Sequence, residues 1–107
     1  MNIPIPAEYK DFLATHGLFE GLTSGDEAPG YVVLWPLNKL RTRNSELQVQ
    51  ELAAGFLAFG GDGGGEVLAF DATGAVFMLP MIGMEIGQAI KVANSFSELA
   101  ARFKIEV

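Results

Sequence analysis

The stretch Gly55 to Met78, Gly-Phe-Leu-Ala-Phe-Gly-Gly-Asp-Gly-Gly-Gly-Glu-Val-Leu-Ala-Phe-Asp-Ala-Thr-Gly-Ala-Val-Phe-Met, decides the fold. Two apolar runs, Phe56 to Phe59 and Val67 to Phe70, flank a polar loop in which Gly61, Gly63, Gly64 and Gly65 surround Asp62. A third apolar run follows the turn Asp71-Ala72-Thr73-Gly74. Short apolar runs separated by turn residues read as an antiparallel meander. The loop glycines can take backbone angles that a Cβ resists. Asp71 can accept from the backbone ahead of it, and Gly74 suits the last turn position.

Working outward toward the N-terminus, Leu37 to about Gln50 has helical spacing at Leu37, Leu40 and Leu47, with Lys39, Arg41 and Arg43 on an exposed basic face. Thr42, Asn44 and Ser45 are poor helix formers and weaken its second half. Tyr31 to Trp35 is a strand by β-branched and aromatic content, ended by Pro36. Leu18 to Gly30 reads as a short strand or turn and then an acidic exposed loop. The first helix runs from Pro6 to about Thr15: Tyr9, Phe12 and Leu13 make its buried stripe, Glu8, Lys10 and Asp11 face water, and Gly17 stops it.

Toward the C-terminus, Pro80 marks a strand end and Met81 to Gly87 a turn-rich bridge. Ile90-Lys91-Val92 alternates in, out, in, as in a strand with one wet side. Ser95-Phe96-Ser97-Glu98 has the form of a capping box, and Phe96, Leu99, Ala100 and Phe103 follow at helical spacing. The expected architecture is one α+β domain over residues 1–107: an antiparallel sheet of four to six strands with helices packed on one face.

Composition narrows the function classes. The 107 residues suffice for one core, and half of them are hydrophobic. With no cysteine there is no disulfide, thiolate metal site or Cys nucleophile. The opening residues show no signal peptide, and no apolar run approaches the roughly 20 residues of a membrane helix, so a cytoplasmic protein is expected. A net charge of −6 disfavours nucleic acid and anionic membranes and favours a basic partner.

The side chains that could carry chemistry are few. The glycine loop lacks the Lys-Ser/Thr ending of a phosphate-binding loop, and Asp62 and Glu66 repel phosphate, so a wide hairpin loop is the favoured reading. Two carboxylates fall short of a calcium loop. His16 is the one histidine, and none of Ser24, Ser45, Ser95 or Ser97 stands in an elbow-type context. Glu8, Asp11, Glu20, Asp26 and Glu27 read as solvated carboxylates. Trp35 is core or the floor of a groove; Met78, Met81 and Met84 are core filler or an adaptable contact surface. No catalytic residue, metal or cofactor is expected.

Four segments, in order, carry a family resemblance. Ile5-Pro6-Ala7-Glu8-Tyr9-Lys10-Asp11-Phe12-Leu13, Tyr31 to Leu40, Phe56 to Glu66 and Ile90 to Leu99 resemble successive motifs of the SUKH superfamily, including its F-x-x-F/I-G-x-D-G-G-G-D/E signature. That group contains a yeast cell-wall-synthesis regulator and many bacterial immunity proteins. His16-Gly17 stands where an Asn-Gly pair is usual, and Val76 to Leu79 where the strand is usually richer in aromatics. The resemblance implies a non-enzymatic protein-binding domain, an immunity protein that covers a cognate polymorphic toxin; the alternative is a small-ligand-binding, regulatory or scaffold domain. Together with the charge, it points to Glu20, Asp26, Glu27, Trp35, Asp62 and Glu66 as partner-binding residues, with Gly61, Gly63, Gly64 and Gly65 as a structural loop. The expected partner is a basic toxin domain, and the expected state a monomer or weak homodimer.

Overall fold

A computed structural model describes residues 3–105. Helix α1 (Ala7–His16) leads to strands β1 (Glu20–Leu22) and β2 (Tyr31–Leu34). A 3-10 turn at Leu37–Lys39 then runs into α2 (Leu40–Glu46) and α3 (Val49–Leu52). The meander follows as β3 (Leu57–Gly61), β4 (Glu66–Phe70), β5 (Val76–Pro80) and β6 (Ile90–Ala93), and α4 (Phe96–Ala100) closes the chain. The six strands pair antiparallel in sequence order, β1 to β6. Fold class and element order are those expected, with the uncertain segment after α1 resolved as β1.

Val67, Leu68, Ala69 and Phe70 are all fully buried, so the pleat of β4 finds cover on both faces. Tyr9 is the hub of the aromatic core, edge-on to Phe59, Phe70 and Phe96 at centroid distances of 5.2, 5.8 and 5.0 Å. Its hydroxyl donates to Trp35 O at 2.6 Å and to Phe59 O at 3.2 Å, tying α1 to the end of β2 and the bulged middle of β3. Burial raises the Tyr9 pKa far above the usual phenol value, against a smaller opposing effect of the bond to Trp35.

Four local expectations change. Glu8 does not simply face water: its carboxylate accepts from Phe96 N at 2.9 Å and Ser97 Oγ at 2.6 Å, so α1 caps the first turn of α4. The capping box is half made, because Glu98 N donates to Ser95 Oγ at 3.1 Å while the Glu98 carboxylate accepts from Asn94 N at 3.2 Å. The predicted helix over 37–50 is broken at Gln48, which adopts φ 57°, and Leu37 is exposed while Leu40 is buried. Ile90 points outward, 61% exposed, on the edge strand where an inward position was predicted.

Candidate interaction surface at the loop end of the sheet

In a sequential antiparallel meander, alternate connections share an end. Those linking β1 to β2 (23–30), β3 to β4 (62–65) and β5 to β6 (81–89) therefore lie together, opposite the end that holds α2 and α3. This loop end gathers most of the acidic residues singled out from the sequence.

Each of its loops is fixed by hydrogen bonds. In the glycine loop, Asp62 Oδ1 accepts from Gly64 N at 2.8 Å and from Glu66 N at 3.2 Å, while Asp62 N donates to Glu66 O at 3.1 Å. The Gly64 and Glu66 amides, turned onto the loop's own carboxylate, are not free to cradle a phosphate. Gly63 is required by shape: at φ 78° it lies so close to the Tyr31 ring that a Cβ would sit 2.8 Å from Cδ2. Tyr31 in turn donates to Glu20 Oε2 at 2.6 Å, and this bond, ahead of desolvation and the carboxylate's charge, raises the tyrosine pKa. Glu20, Tyr31 and the Asp62 loop thus form one continuous ridge.

Arg102 holds the 24–30 loop. Its guanidinium donates to Ser24 O at 3.2 Å, Ala28 O at 3.3 Å, Glu27 O at 2.5 Å and Pro29 O at 3.4 Å, and its own carbonyl accepts from Ser24 N at 2.7 Å. The cation is spent on carbonyls, so the exposed carboxylates of Asp26 and Glu27 are not needed to hold the loop.

Trp35 lies apart from this ridge. It is buried, 6% exposed, with Arg43 over its ring at 5.1 Å, and belongs to the core more than to a contact surface. Beside Met81, already a candidate contact residue from the sequence, the loop end contains two residues that sequence reasoning passed over, Ile82 and Ile86. Met81, Ile82 and Ile86, in the supposed bridge, are exposed, Ile82 by 93%. The signal was present as an apolar pair, Met81-Ile82, stranded between Pro80 and Gly83. Of the methionines considered for a contact surface, Met78 and Met84 are buried and only Met81 is exposed.

The one histidine stacks on Phe12 at 4.6 Å, at the exposed end of α1. It shares a shallow depression of about 310 Å³ with Ser97 and Glu8, but the Ser97 hydroxyl donates to Glu8, which serves as a cap. A groove of about 780 Å³ lies at the opposite end, between residues 3–5 and α2, floored by Ile3, Ile5, Leu40 and Leu57 and rimmed by Lys10 and Arg41. Among the described residues, no three His, Asp or Glu side chains converge as a metal site, and no helix is long and apolar enough to cross a membrane.

An α+β domain on an uninterrupted antiparallel meander, with its glycine loop closed on an internal aspartate, defines the class of protein. The chain belongs to the SMI1 / KNR4 family (SUKH-1), whose family model matches residues 1–102. No curated protein matches it.

Proposed function

We propose that this protein is an immunity protein, a protein-binding domain that neutralises a cognate toxin by occupying a basic surface on it. Membership of a generally non-enzymatic SUKH family supports the class of function. The single observation that carries the reading is the loop end, where Glu20, Asp62 and Glu66 adjoin one another along a ridge and the 24–30 loop adds Asp26 and Glu27. Fixed loops of one charge sign speed encounter with an oppositely charged protein and set its orientation.

Co-expression tests this directly. Where a toxin domain is encoded beside this gene, cells making it should survive only when this protein is made with it, and the two should co-elute in gel filtration. A toxin that kills regardless, with no complex formed, rejects the reading.

The groove beside α2 supports a second reading, a small-ligand or regulatory domain, since its volume and apolar floor suit a small molecule. Thermal-shift screening separates the two, because a ligand of the folded state raises the melting temperature with its concentration.

A further inference from the structure

We propose that Ile82 is the apolar anchor of the loop end, inserting into an apolar pocket of a basic protein partner while the carboxylates beside it face that partner's lysines and arginines. This rests on the toxin-binding reading above and deepens it by naming where the contact is held. The residues picked from charge would steer the encounter, and an isoleucine that no charge argument selects would keep the complex together.

Three observations carry it. Ile82 is 93% exposed, the most of any large apolar side chain described, and Met81, Ile86 and Ile90 from the same connection and its flanking strand are 37%, 55% and 61% exposed. The connection is fixed in shape. Met81 N donates to Gly65 O at 2.8 Å, Met84 is buried at its middle, and Gln88 N and Ala89 N close a 3-10 turn on Glu85 O and Ile86 O at 3.0 and 3.1 Å. A side chain displayed on an ordered loop loses little freedom on binding, which is the condition for an anchor.

The third observation identifies the occupant. Glu66 is paired with Pro80, next to Met81, and Glu85 follows Ile82 by three residues, so the apolar patch has an acidic border. Lys91, the cation on the adjoining edge strand, is close enough to Asp71 to attract its charge. A second copy of this chain docking here by a two-fold axis would bring Glu66 and Glu85 against their own counterparts. A basic partner meets no such repulsion.

Association and dissociation rates of the purified protein with that toxin domain, measured for wild type, Ile82→Ser and Glu66→Gln/Glu85→Gln, test the proposal. Ile82→Ser should melt like wild type, associate within about twofold of it and dissociate about 30-fold faster, since truncating an anchor acts on the off-rate. The double Gln variant should associate more slowly at low salt and show a weaker salt dependence. A wild-type complex that Ile82→Ser leaves unchanged overturns the anchor and spares the toxin reading; a wild type that binds no toxin overturns both. Wild type dimeric and Ile82→Ser monomeric in solution would assign the patch to self-association and overturn the proposal.

Discussion

At the loop end of the sheet the polar groups hold loop backbone: Asp62 binds amides two and four residues on, and Arg102 bonds carbonyls of the 24–30 loop, leaving Glu20, Asp26, Glu27 and Ile82 displayed. At the helical end they tie helices to the sheet and are consumed. Asn44, 7% exposed in α2, donates Nδ2 to Leu40 O at 2.7 Å and Ala58 O at 2.8 Å and accepts from Ala58 N at 2.8 Å. Gln50 donates to Phe56 O at 2.9 Å. The first arrangement frees side chains for another molecule, and the second uses them to weld helices onto β3. Substitutions should therefore lower stability at one end and alter binding at the other.

The harshest way to break this division is at the seam both ends share. A Cβ added at Gly60 would lie 2.5 Å from Val33 O, so Gly60→Ala must part β2 from β3 and should cost about 3 kcal/mol, lowering the urea midpoint. Gly65, in the loop itself, has nothing within 4 Å of the same atom, and Gly65→Ala should stay within about 0.5 kcal/mol. Equal losses from the two would show that the glycines serve loop flexibility and not strand approach.

Removing the weld comes next. Asn44→Ala removes the acceptor of the buried Ala58 N and a donor to the Leu40 and Ala58 carbonyls, and should cost about 2 kcal/mol. Partner affinity measured on the folded fraction should be unchanged, because no loop-end contact depends on Asn44. A loss of binding at full folding would join the two ends functionally.

Reversing charge at the loop end should do the opposite. Asp26→Lys/Glu27→Lys should slow association with a basic partner about tenfold at low salt. Its urea midpoint should not move, since Arg102 bonds the loop's carbonyls. A large loss of stability would mean that the carboxylates, not the carbonyls, hold the loop.

What the sequence revealed follows the same division. Alternating turns and apolar runs made the meander and its fold class legible, and net charge pointed to Glu20, Asp26, Glu27, Asp62 and Glu66 at the loop end. In the sequence Asn44 shows only its poor helix propensity, because a single buried amide bonding a strand 14 residues away leaves no periodic trace. Glu8 reads as solvated for the same reason: its partners, Phe96 and Ser97, are 88 and 89 positions on. Ile90 shows the limit of alternation on an edge strand, where a shift in register between Val76 and Phe77 defeats a simple in-out count. Trp35 reads from the sequence as either core or contact, and its burial makes it part of the core.

The finest comparison is between two turns of like construction at opposite ends. Asp71, like Asp62, places Oδ1 on the amides two and four residues ahead, Thr73 N at 2.9 Å and Ala75 N at 3.1 Å, and it also accepts from Thr73 Oγ1 at 2.6 Å. Desolvation pushes the Asp71 carboxyl up, but the bonds from Thr73 and Ala75, with Lys91 nearby, outweigh it and leave its pKa below the usual aspartate value. The unfolded chain then binds the proton more readily than the folded one, so stability from this turn is fully present above an unfolded pKa of about 3.9 and is lost as pH falls through the folded value. Asp71→Asn cannot ionise, so wild type should exceed it in urea midpoint at pH 7 and the gap should narrow below about pH 4. A gap that stays constant from pH 7 to the acid limit would mean that the turn is held by geometry alone, with no contribution from the charge.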